Sequence, residues 1–172
     1  MSARSEIIAR ARALDGGTGP RARRLSRRLT PSAPLTFDDV AAAPDWVLWP
    51  MDAQRRLARA AGVAACAPTL RRTIDGRALR MLAEVVGSER LDALLAAPAV
   101  SEAEPPGGLP SSVEALTVLG AAALAAEVAD RPALAARLAA LLASPAPTMD
   151  PALARAACAQ ARQWAALDGE MR

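Results

Sequence analysis

Between Trp49 and Pro98 apolar residues recur at helical spacing, and the stretch leaves no room for a strand. Leu57, Ala60, Ala61 and Ala64 stand at i, i+3, i+4 and i+7, one apolar stripe of a helix that opens at Pro50. Asp52 lies three and four residues before Arg55 and Arg56 on the opposite, wet side. Gly62 weakens this helix, and Pro68 is expected to end or restart it. Leu79, Leu82, Ala83 and Val86 repeat the stripe behind Asp75, a good N-cap, and Gly87 reads as the stop. Ser88 is expected to cap a third helix with Leu91, Leu94 and Leu95 facing inward, closed by Pro98.

Three more helices are read further on. Ser111 or Ser112 caps one whose run from Leu116 to Ala126 is apolar all round, the mark of a core helix or a membrane span. The run is too short to cross a bilayer and is flanked by Glu114 and Glu127, so a central buried helix is predicted. Gly120 and its alanines would let neighbouring helices approach closely. Asp130 with Pro132, and Asp150 with Pro151, give the same cap-plus-proline start to two further helices. In the first, Leu134, Leu138, Leu141 and Leu142 form the stripe; in the second, Leu153, Ala157, Gln160, Trp164 and Leu167 line one face. Before Trp49 the pattern is poorer: a short helix over residues 2–14, and another from Thr36 through Phe37, Val40 and Ala43.

The breaks fall at Asp15–Pro20, Thr30–Pro34 and Ser101–Pro110. They divide the chain into a flexible basic arm, residues 1–35, and one helical domain, residues 36–172, with two helical halves joined by a linker at 99–110. The fold expected is all-α, a compact bundle of roughly six to eight short helices. Composition agrees: 52% of residues are hydrophobic but only 2% aromatic, so alanine and leucine must build the core, and strands draw on other residue types.

Charge is uneven. Residues 1–30 carry eight arginines against Glu6 and Asp15, a balance of +6, whereas the whole chain is +3. No apolar run follows the early arginines, so a secretory signal is not expected. The Arg-rich, acid-poor opening resembles a mitochondrial transit peptide in composition, but the arginine-rich, lysine-free usage looks like a GC-rich bacterial genome. Arg21, Arg23, Arg24, Arg27 and Arg28 form the densest segment: a solvated basic stretch, a dock for an acidic partner, or a site for nucleic acid or anionic membrane. No aromatic is interleaved, which weakens a stacking site for single strands.

Candidate chemistry is sparse. There is no histidine, which removes the commonest general base, the usual hydrolase triads and most zinc sites. Cys66 and Cys158 each sit in an alanine-rich run and read as small buried hydrophobes. Gly107-Gly108 lies between prolines, not after a strand, and Asp38-Asp39 point apart on a helix. The expectation is no catalytic residue, no metal and no cofactor. Surface candidates remain. Trp46 and Trp49 can anchor the N-terminal region or, if exposed, form a binding hot spot. Arg71, Arg72, Arg77 and Arg80 gather near one turn, as a solvated rim, a contact for acidic partner groups, or a phosphate site.

Trp49-Pro50, Arg56-Leu57, Ala61-Gly62, Leu70-Arg71-Arg72 and the Leu-rich segment from Leu79 to Leu95 together resemble the SctK family, adaptors of bacterial type III secretion known under names such as YscK, OrgA and MxiK. The resemblance covers roughly fifty of the 172 residues. It implies a non-enzymatic cytoplasmic protein beneath the inner-membrane ring, with no membrane span. Its partners would be the ring protein's cytoplasmic domain and the pod protein of the sorting platform, and nucleic acid is not expected. The contact residues would be Trp46, Trp49, Arg71, Arg72, Arg77 and Arg80. The alternative from charge alone is a small nucleic-acid-associated regulator that uses Arg21 to Arg28.

Overall fold

A computed structural model describes residues 43–72, 75–98, 101–130 and 147–168. The chain divides into two units, Met1–Leu48 and Trp49–Arg172. In the first, the described part is a 3-10 turn, Asp45–Leu48, closed by the Val47 amide donating to the Pro44 carbonyl at 3.1 Å. The second holds five α-helices: α1 (Met51–Leu70), α2 (Gly76–Val86), α3 (Ser88–Ala96), α4 (Val113–Glu127) and α5 (Pro151–Leu167). Helix accounts for 71% of the described residues and strand for none of them, so the described fold is all-α. The helices expected over 2–14, 36–43 and 132–142, and the basic arm, lie wholly or almost wholly outside the described residues.

The helix starts follow the caps. Asp75 Oδ1 accepts from the amides of Arg77 and Ala78 at 2.9 and 3.1 Å. Ser112 Oγ accepts from Ala115 at 3.2 Å, and Asp150 Oδ1 from Ala152 and Leu153, both at 2.9 Å. Each replaces a partner that a first-turn amide lacks. Three boundaries differ from expectation. Pro50 sits one position earlier, as the N-cap residue of α1 (φ −55°, ψ 149°), where its carbonyl accepts from Gln54 at 3.0 Å. Ser88 is the first residue of α3 and not its cap: Gly87, at φ +89°, ends α2 and caps α3 at once. A single residue with left-handed freedom makes that corner, so no serine is left outside the helix. Pro68 does not end α1, which runs on to Leu70; Ala67, Pro68 and Leu70 are buried, and that packing outweighs one missing hydrogen bond.

α1 is the hub. It packs on α4 most extensively, then on α5, and on α2 and α3 as well. Every residue from Ala61 to Pro68 is buried. α4 was expected to be central; it contributes Leu116, Leu119 and Ala121 to Leu124 to the core, but half-buries Thr117, Val118, Ala125 and Ala126. No described helix is long and apolar enough to cross a membrane. Since α1 precedes the 99–110 segment and its main partners follow it, both sides of that segment share one core. The segment is itself held: Pro105 is buried, and Arg72 donates to the Glu104 carboxylate at 3.0 Å. Leu167, read on one face of α5 with Leu153, Ala157, Gln160 and Trp164, is 72% exposed, whereas Leu153, Ala157 and Trp164 are buried.

α1 and α4 meet backbone to backbone. A β-carbon on Gly120 would overlap the Ala58 carbonyl oxygen and stand 2.6 Å from the Gly62 nitrogen. One on Gly62 would overlap the Leu116 carbonyl oxygen and stand 3.0 Å from a Leu116 methyl. Relief would require moving main chain, not a flexible side chain. Gly120→Ala is therefore expected to lower the unfolding free energy by about 3 kcal/mol or more. Gly76→Ala, in open space at the start of α2, should raise it by about 0.4–1 kcal/mol. Urea unfolding of the two variants checks both signs.

Candidate functional site

The arginines read as a cluster near one turn separate by role. Arg71, just past α1, donates from Nε to the Leu95 carbonyl at 3.2 Å and from Nη2 to the Leu94 carbonyl at 2.6 Å. These belong to the last turn of α3, whose carbonyls lack helical partners and carry the negative end of the dipole. Arg72 faces the other way, onto Glu104 and the Glu102 carbonyl. Arg77 and Arg80 are exposed, one turn apart on α2. Trp49 is half-buried, and its carbonyl accepts from Gln54 Nε2 at 3.0 Å. Trp46 is 1% exposed, so its ring is not presented at the described surface. Arg21, Arg23, Arg24, Arg27 and Arg28 lie outside the described residues.

A feature absent from the sequence reading is a groove of about 430 Å³ at one end of the bundle. α1 and α5 run antiparallel: Arg56 to Ala60 of α1 lie beside Ala161 to Asp168 of α5, whereas Ala64 to Arg71 lie beside Leu153 to Gln160. The groove opens where the first half of α1 meets the last turns of α5, against the end of α2 and the start of α3. Leu57, Val86, Ala161 and Trp164 line it with apolar surface. Arg56, Arg59 and Arg90 bring three guanidinium groups, and Glu84 and Asp168 two carboxylates.

Arg90 and Asp168 form a two-pronged ion pair across 78 positions of sequence, Nη1 to Oδ2 at 3.0 Å and Nη2 to Oδ1 at 2.5 Å. The hydrogen bonds from Arg90, its charge, and the charge of Arg56 hold the Asp168 carboxyl below its ordinary value of 3.8. The same pair raises Arg90. Arg55, outside the groove, pairs with Asp52 at 3.8 Å, as its spacing predicts. Glu127 of α4 is ion-paired with Arg162 of α5. The single signal in sequence for the groove was Arg56 on the wet side of α1; nothing local says that the end of α5 arrives there.

The two cysteines are free and buried. Burial pushes the Cys66 thiol up to about 12. Burial first, then the charge of Glu127 and a hydrogen bond to it, raises the Cys158 thiol as well. Both are held as thiols at neutral pH, the unreactive form. Among the described residues no group of three or more His, Cys, Asp or Glu side chains could hold a metal ion.

By class, the described chain is a small all-α bundle with an arginine-edged apolar groove at one end. No protein-family model, curated protein or solved structure matches it.

Two outcomes follow. Asp168→Asn should cost no more than about 0.5–1 kcal/mol near pH 7, because both partners keep contact with water. Since the folded-state value is lowered, this contribution is present above the unfolded carboxyl value and disappears as pH falls through the folded one. The wild-type and variant stabilities should converge in acid, as urea unfolding at a series of pH values will show. A thiol reagent at pH 8 should leave the native chain unlabelled and modify both cysteines once it is denatured; rapid native labelling would contradict the burial of both.

Proposed function

We propose that the chain is a non-enzymatic adaptor of a bacterial type III secretion system, joining the cytoplasmic domain of the inner-membrane ring protein to the pod protein of the sorting platform. The family resemblance suggests this reading, and one observation supports it best. The stretch that carries the resemblance forms α1, α2 and α3, the hub and one side of the bundle, and leaves Arg77 and Arg80 exposed side by side on α2. A hub buried on most sides fixes the position of the surface attached to it, which is what a bridging protein needs. Contacts would be helix packing together with guanidinium–carboxylate pairs, the geometry in which arginine binds two oxygens at once. Such a protein works on the cytoplasmic side, close to the inner membrane without spanning it, and needs no cofactor.

A second reading, a nucleic-acid-associated regulator, draws on the +6 balance of residues 1–30. The two separate cleanly. Co-expression with the ring protein's cytoplasmic domain and the pod protein of the same genome should give co-purification with at least one of them. Retention of neither overturns the adaptor. DNA or RNA binding with a steep salt dependence, lost on deletion of residues 1–30, would establish the regulator instead.

A further inference from the structure

We draw no further inference here: the strongest candidate, the groove of about 430 Å³ where the first half of α1 meets the ends of α2 and α5 and the start of α3, carries nothing, because Arg90 and Asp168 satisfy each other, Arg56 has a partner of its own, and nothing in the structure shows what covers its apolar floor.

Discussion

The backbone approach of α1 and α4 governs the rest of the molecule. At Gly62 and Gly120 the two helices are so close that neither position has room for a single added carbon. Glycine in a helix costs about 1 kcal/mol against alanine in propensity, so two of them in the most extensively packed helix pair are a local weakness. The return comes from the neighbours. With the axes drawn together, Ala58, Ala61, Ala65, Ala121 and Ala123 are all buried, and alanine side chains suffice to close the space between main chains. Close packing of many small groups sums dispersion contacts that a looser interface would lose.

On α1 the groove borders this crossing: Arg56, Leu57, Arg59 and Ala60 line it, and Ala58 meets Gly120. Alanine closes the interior along the length of the bundle, with Ala53, Ala154, Ala157, Ala161 and Ala165 buried away from the crossing residues. Toward the first turns of α1 and the last turns of α5, Leu57 and Trp164 are buried beside Ala53, Ala161 and Ala165, and Trp164 also lines the groove. The ends of α2 and α5 and the start of α3 border the same groove, and the Arg90–Asp168 pair ties α3 to the end of α5 at the surface. Met51 and Leu167, the exposed large apolar residues among those described, are the first residue of α1 and the last of α5.

Arginine does unexpected structural work in this chain. Arg71 holds the carbonyl end of α3, Arg72 fastens the segment after it, Arg90 ties α3 to the end of α5, and Arg162 pairs with Glu127 across α4 and α5. Each contact joins residues more than twenty positions apart. A planar guanidinium can bridge two acceptors on one segment, and a lysine at Arg71 or Arg90 could supply only a point charge there. What composition suggested as a basic rim is, at these four positions, a set of long-range ties. Arg77 and Arg80 keep the character of surface groups.

Local chemistry is what the sequence by itself determined. Asp75, Ser112 and Asp150 cap their helices because a short acceptor beside unpaired amides acts within three residues, and the stripes on α2 and α3 face inward because helical period depends only on neighbours. The value of Gly120 was also legible, since small residues surround it. Only the tertiary structure decided that Gly62 is its counterpart and not a flaw in α1, that Pro68 lies inside the helix, and that Leu167 faces water. Only it brought Asp168 to Arg90 and thereby made a groove. Those facts depend on which segments meet across 54 to 105 positions of chain, from Gly62 to Leu116 or Arg56 to Ala161, and no periodicity encodes where the far partner arrives.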